Sequence, residues 1–107
     1  MKTFAEYQAL AAQLPVSLRN HRDRINLPVL GLQEEAGKIG ALLASASASG
    51  KFTLTPQQSS EVQDRLADAL WYLALLCSET GITLPDVAAH SIAQLQTRAE
   101  EVDPDRR

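Results

Sequence analysis

Two stretches of the chain place acidic side chains beside an apolar helix face. In the stretch 31–39, Glu34 and Glu35 lie on one arc of a helix, and Glu35 borders the apolar side. In the stretch 65–74, Asp68 directly precedes a run of apolar residues. Hard divalent cations such as Mg²⁺ bind carboxylate oxygens, and two facing helices of a bundle can supply them. The spacing therefore indicates a candidate metal site between two helices.

A second acidic pair, Glu61 and Asp64, lies one turn before Asp68 on the same helix face. Acidic residues on helices usually face water, and for Glu61 and Asp64 this interpretation is favoured over metal binding. It is weaker for Glu35 and Asp68, because both border apolar positions. We therefore keep Glu61 and Asp64 as further candidate ligands.

Composition predicts one small domain over residues 1–102, followed by a disordered tail over 103–107. A chain of 107 residues has a modest core, which oligomerisation often completes. The net charge of −3 offers no broad basic surface, so a nucleic acid polymer is not expected as a partner. No long apolar run and no export signal is evident, so we expect no membrane partner and a cytoplasmic location. The single cysteine, Cys77, lies in an apolar stripe and is expected to be buried.

Four helices are predicted, and no strand pattern competes with them. The first helix is predicted to begin with a capping box at Thr3 to Glu6 and to end at Pro15, and the second to run from about Pro28 to the mid-40s. The third is predicted to begin at Thr55 and Pro56 and to end near Thr80, and the fourth to begin at Thr83 to Asp86. The segment 16–28 is interpreted as a loop or a frayed short helix. The small-residue tract 44–50 is either a fraying helix end or a flexible linker.

Helical periodicity also predicts which side chains face inward. On the second helix these are Leu32, Ala36, Ile39 and Leu43, with Gly37, Gly40 and Ala41 allowing close approach of another helix. On the fourth helix they are Leu84, Ala88, Ile92, Leu95, Ala99 and Val102. The third helix is apolar on nearly every side over 69–77, which predicts a core that continues into a second subunit.

Several stretches of the chain together resemble the MazG-type all-α nucleoside triphosphate pyrophosphohydrolases. They are Gly31-Leu32-Gln33-Glu34-Glu35-Ala36-Gly37, Leu66-Ala67-Asp68-Ala69-Leu70-Trp71-Tyr72-Leu73-Ala74, Gly81-Ile82-Thr83-Leu84-Pro85-Asp86-Val87 and Ile92-Ala93-Gln94-Leu95-Gln96-Thr97-Arg98. The resemblance covers about residues 28–100. It implies a MazG-type helical bundle that forms a homodimer or homotetramer, and Mg²⁺-dependent hydrolysis of a nucleoside triphosphate to monophosphate and pyrophosphate.

The resemblance also assigns site residues. Glu34, Glu35 and Asp68 match catalytic, metal-binding carboxylates of the family pattern. The remaining two carboxylates of that pattern are replaced by Lys38 and Arg65. On the last helix, the Asn and Lys that family members commonly present toward substrate are Ser91 and Gln94 here, and Arg98 is the retained match. Lys38, Arg65 and Arg98 are therefore expected to bind phosphate.

Three interpretations of this pattern remain open. In the first, the active site is redesigned: Glu61 and Asp64 are substitute metal ligands, and Lys38 and Arg65 bind phosphate. In the second, the chain is a catalytically impaired, nucleotide-binding or regulatory homologue in which Lys38 and Arg65 neutralise the carboxylates. In the third, the bundle is a helical protein-interaction module. Trp71 and Tyr72 are candidates for stacking on a nucleobase, although aromatic residues at such positions more often belong to a core or interface.

Overall fold

The chain folds into four α-helices in a computed structural model, which describes residues 3–13, 20–48, 50 and 53–102. The helices are α1 (Phe4–Gln13), α2 (His21–Ser47), α3 (Pro56–Thr80) and α4 (Leu84–Val102). No strand occurs in the described ranges. The predicted all-α architecture of four main helices is therefore confirmed. The predicted disordered tail lies outside the described residues.

Local capping chemistry sets the start and end of α3, as predicted. Thr55 Oγ1 accepts a hydrogen bond from Gln58 N at 3.1 Å, and Gln58 Oε1 accepts one from Thr55 N at 2.9 Å. This reciprocal pair satisfies two backbone donors that the first helical turn leaves open. Gly81 ends the helix with φ of 72°, a left-handed conformation that glycine adopts without a Cβ clash. At α4, Thr83 Oγ1 accepts from Asp86 N at 3.2 Å, which also confirms the predicted start.

The start of α2 differs from the prediction. The helix begins at His21, seven residues before Pro28. Asn20 is the N-cap, and its Oδ1 accepts a hydrogen bond from Asp23 N at 2.8 Å. The segment 21–27 is therefore helical, because the helix begins at the Asn20 cap and not at Pro28. Pro28 removes one hydrogen bond from the helix interior, and its ring is fully buried, which offsets part of that loss.

The small-residue tract belongs largely to the end of α2. The helix runs to Ser47, and Ala48 N donates to Ala44 O at 3.1 Å as the C-cap. Ala46 is buried. Of the two readings left open for this tract, the helix end is correct up to Ser47.

One glycine of α2 lies against a side chain of the neighbouring helix, and it is not one of the glycines predicted to allow close approach. A Cβ added at Gly31 would lie 2.5 Å from the ring of Tyr72 on α3. At Gly37 and Gly40, by contrast, a Cβ would meet no atom within 4 Å. Periodicity alone could not separate these positions, because all three glycines lie on the same helix within ten residues.

A single glutamine ties α1 to the turn between α3 and α4. Gln8 Nε2 donates to Ser78 Oγ at 3.2 Å and to Ile82 O at 3.1 Å. Its Oε1 accepts from Leu84 N at 2.7 Å, which satisfies a backbone donor at the first residue of α4. Leu84 and Cys77 are buried near this junction, as predicted, together with Ala74.

Much of the apolar stripe predicted to face inward is exposed in the single chain. Ile92, Leu95 and Val102 on α4 are 57%, 58% and 86% exposed. On α3, Leu66 and Leu73 are also exposed. On α2, Ala36 is exposed as well. The amphipathic pattern identified apolar faces correctly, but it did not reveal that neighbouring helices of the same chain leave these faces uncovered.

Candidate functional site

The centre of the candidate site is an ion pair between α2 and α3. Arg65 Nη1 lies 3.3 Å from Oε2 and 3.4 Å from Oε1 of Glu35. Glu35 is only 4% exposed, and it is a buried charged residue of the part of the chain that the structure describes. Because a buried carboxylate is costly without a partner, the Arg65 guanidinium compensates Glu35 directly.

Asp68 continues this network, whereas Lys38 and Glu34 lie outside it. Arg65 Nη1 also lies 3.8 Å from Oδ2 of Asp68, one turn further along α3. Lys38 Nζ lies 3.0 Å from Oε1 of Glu34, one turn away on α2, and both side chains are exposed. The structure therefore brings Glu35, Arg65 and Asp68 together, whereas Glu34 and Lys38 form a separate surface pair.

In the described part of the chain, a guanidinium rather than a further carboxylate lies beside buried Glu35. No group of three or more potential metal-ligating side chains converges within the described ranges. Glu61 and Asp64 are exposed and do not complete such a group. The Arg65 guanidinium occupies the position beside Glu35 and repels a second cation there. At an effective dielectric near 20, one unit charge about 4 Å from another contributes roughly 4 kcal/mol.

A cavity of about 400 Å³ opens beside the ion pair at the α2 side. Its lining residues are Lys38, Ala41, Leu42, Glu61 and Arg65. Two of the predicted phosphate-binding cations therefore share one cavity, and Glu61 is the single carboxylate among its described lining residues. An anionic group is the ligand that two cations in one concave surface attract most strongly.

A second cavity, of about 290 Å³, lies at the α1 side of the same α3 face. It is lined by Tyr7, Leu10, Ala11, Asp68 and Trp71. Burial and, secondarily, the negative charge of Asp68 raise the pKa of the Tyr7 phenol above its ordinary value. Tyr7 was not predicted as a site residue, since nothing in the sequence indicates that α1 packs near Asp68.

The two aromatic residues proposed for base stacking have different surroundings. Trp71 lines the 290 Å³ cavity, and its buried Nε1 has no hydrogen-bond partner within the described structure. The Tyr72 ring lies against Gly31, with its centroid 5.2 Å from that of Trp71 at an interplanar angle of 32°. Trp71 therefore faces a space that a ligand can enter, whereas Tyr72 fills the contact between α2 and α3.

Arg98, the third predicted phosphate-binding residue, lies on α4 in a different cavity of about 370 Å³. The other residues of that cavity are Ala93, Gln94, Thr97 and Glu101. All of them belong to α4, so this concave surface contains no residue of the Glu35 and Arg65 centre. The structure thus places Arg98 apart from Lys38 and Arg65.

Comparison of the chain with protein-family models, with curated proteins and with solved structures found no match. Among the helices described, none combines the length and the apolar character needed to cross a membrane.

Proposed function

We propose that this chain is a MazG-type homologue that binds a nucleotide at a catalytically impaired centre. The observation that carries the proposal is the contact of Arg65 with both carboxylate oxygens of buried Glu35. In the MazG pattern, carboxylates at these positions hold Mg²⁺. Here the guanidinium supplies the positive charge that Glu35 requires, so the chain neutralises its own acidic centre without a metal ion.

Nucleotide binding is supported by the two cavities that flank this centre. The residues Glu61, Arg65, Asp68 and Trp71 follow one face of α3 at spacings of four, three and three. The first two line the 400 Å³ cavity, and the last two line the 290 Å³ cavity. At 1.5 Å per residue the row is about 15 Å long, which suits an extended nucleotide. Phosphates would lie at the cationic end and the base at the aromatic end.

Lys38 can bind a phosphate because its ion pair with Glu34 is weak. Its ion pair with Glu34 is exposed, and exposed pairs contribute roughly 0–1 kcal/mol. A phosphate in the cavity offers the ammonium group more acceptor oxygens. Arg65 is about one third exposed and can keep its contact with Glu35 while another of its nitrogens meets a phosphate.

Hydrolysis to monophosphate and pyrophosphate is the alternative that the resemblance implies. It requires Mg²⁺ to be held by a changed ligand set, in which Glu61 and Asp64 join Asp68 on one face of α3. Both side chains are exposed, and Glu61 lines the cationic cavity. This activity would convert the row of residues on α3 from a binding surface into an active site.

A second copy of the chain is the partner that the exposed apolar faces favour. Ile92 and Leu95 on α4, with Leu66 and Leu73 on α3, remain more than two fifths exposed. Apolar side chains repeated along two helices mark an interaction surface rather than ordinary exposure. Such a homodimer is compatible with nucleotide binding. If the chain binds no nucleotide, the homodimer supports the third interpretation, a helical interaction module.

Thermal unfolding against nucleoside triphosphates, with and without Mg²⁺ and with pyrophosphate followed in the same samples, tests the proposal. We expect stabilisation without Mg²⁺ and without pyrophosphate release. A ligand at 100 times its Kd stabilises the native state by about 2.7 kcal/mol. Lys38→Gln should weaken the response, whereas Arg22→Gln, which removes the same charge from an exposed position of α2, should not.

Two results would overturn this reading in different directions. Mg²⁺-dependent pyrophosphate release that disappears in Glu35→Gln and Asp68→Asn would establish the hydrolase. An absence of any response to nucleotide or metal would leave the interaction module.

A further inference from the structure

We propose that the cavity between α1 and α3 is a nucleobase pocket that selects guanine, and that the Asp68 carboxylate recognises the base by hydrogen bonding. This inference rests on the proposed nucleotide binding and names the class of nucleotide. It also gives Asp68 a role other than metal ligation.

The walls of the pocket suit one flat ring system. Tyr7, Leu10 and Ala11 on α1 face Trp71 on α3, and Asp68 is the one charged residue among the described residues of the lining. The volume of about 290 Å³ lies at the lower limit for small-molecule pockets, so it accommodates a base rather than a whole nucleotide. The indole ring adds the stacking surface that bases prefer.

Asp68 retains the capacity to accept hydrogen bonds. Its side chain is 47% exposed, and its nearest cation, Arg65 Nη1, lies at 3.8 Å, which is too long for a hydrogen bond. An ionised carboxylate has two acceptor oxygens and no donor. It therefore binds most strongly to a ligand edge that presents two N–H donors side by side.

Among the common bases, only guanine presents such an edge. Its N1–H and N2–H₂ groups are adjacent and match the two oxygens of Asp68, as in other bidentate charge-assisted pairs. Adenine and cytosine each present an amino group next to a ring nitrogen that is an acceptor. In uracil and thymine, one N–H group lies between two carbonyl oxygens. A carboxylate repels each of these acceptors, so Asp68 discriminates against all four other bases.

Trp71 makes the pocket directly observable, because it is the only tryptophan of the chain. We would titrate the full chain with the monophosphates of guanosine, adenosine, cytidine and uridine while following Trp71 fluorescence. We expect guanosine monophosphate to quench with a Kd at least tenfold lower than the others. Asp68→Asn should abolish this preference, and Glu100→Gln, which removes one negative charge from an exposed position of α4, should retain it.

A second variant and a second ligand separate failure of the base pocket from failure of nucleotide binding. Leu10→Phe fills the pocket from a half-exposed position, so it should remove the quenching but keep thermal stabilisation by inorganic tripolyphosphate. Equal quenching by all four monophosphates would overturn base selection and leave nucleotide binding intact. Stabilisation by tripolyphosphate with no Trp71 response to any nucleotide would overturn the pocket. No response to any of these ligands would overturn both proposals.

Discussion

At the scale of single residues, Arg65 and Glu35 depend on each other unequally. Glu35 is buried, whereas Arg65 is about one third exposed and can be solvated in part. Arg65→Met therefore leaves an uncompensated buried carboxylate, and we expect a loss of about 3 kcal/mol in the free energy of unfolding. Replacing both residues by Met should restore most of that loss, because no buried charge remains. Urea unfolding followed by Trp71 fluorescence measures both variants.

The exposed ion pair provides the matched comparison for this experiment. Lys38→Met breaks the contact with Glu34, which water and salt screen, so its cost should stay below about 1 kcal/mol. An Arg65→Met variant as stable as Lys38→Met would show that Glu35 does not require the guanidinium.

Tyr7 predicts a specific loss of stability at alkaline pH. Its folded pKa is raised, so the neutral phenol is favoured in the folded state. The stability that Tyr7 contributes is fully present below the unfolded pKa of about 10 and is lost as pH rises through the raised folded pKa. Tyr7→Phe should therefore lose less stability than the wild type between pH 9 and 11.5. Parallel Tm profiles of the two proteins would contradict a raised Tyr7 pKa in the folded state, since the other tyrosine and the lysines titrate in both.

At the scale of elements, two glycines of α2 should respond to alanine with opposite signs. Gly31→Ala places a Cβ 2.5 Å from the Tyr72 ring, so the ring must shift or α2 and α3 must separate, at a cost of about 1–3 kcal/mol. Gly40→Ala meets open space and should stabilise the chain by up to about 1 kcal/mol through helix propensity. Chemical denaturation of the two variants tests this pair. Equal effects would mean that Gly31 is not the point of close helix approach.

The same elements show how far the sequence determines the structure. The ends of α3 follow from Thr55, Gln58 and Gly81, whose chemistry acts within four residues, and they were predicted correctly. The predicted start of α2 is too late, because Pro28 fits the first turn of a helix as well as it fits this buried interior position, whereas the Asn20 cap lies eight residues earlier. Contacts such as that of Gln8 with Leu84 join positions 76 residues apart, so no local pattern reveals them.

The candidate site was predictable in part for the same reason. The acidic faces and the two cations within them could be read from helical spacing. That Arg65 pairs with buried Glu35, and that Tyr7 lies near Asp68, depends on how three helices pack. Periodicity assigns a residue to a face of its own helix, but it does not determine which helix lies opposite.

At the scale of the whole molecule, the single chain is more open than a compact monomer of its length. Its radius of gyration is 17.2 Å, whereas a compact chain of this length has about 13 Å. Its accessible surface is 8072 Å², compared with about 5,800 Å² for a compact monomer of its mass. The excess of about 2,300 Å² per chain is larger than the roughly 800 Å² that each partner buries in a standard interface, and it lies in the range of obligate dimers, which bury about 2,000–5,000 Å² in total. A second copy that covers α4 would account for it.

Leu95→Glu should therefore convert a dimer into a monomer. A glutamate at this position places a charge where the partner would cover it, and burial of an unpaired charge is strongly unfavourable. We expect the dimer Kd to rise at least 100-fold, which corresponds to about 2.7 kcal/mol. Light scattering during size-exclusion chromatography should show the mass falling from twice to once the chain mass of 11.6 kDa. Gln96→Glu introduces the same charge at the adjacent exposed position and should leave the mass unchanged. A wild-type chain that is monomeric at high micromolar concentration would contradict self-association, and the apolar face of α4 would then have to be covered by a different protein.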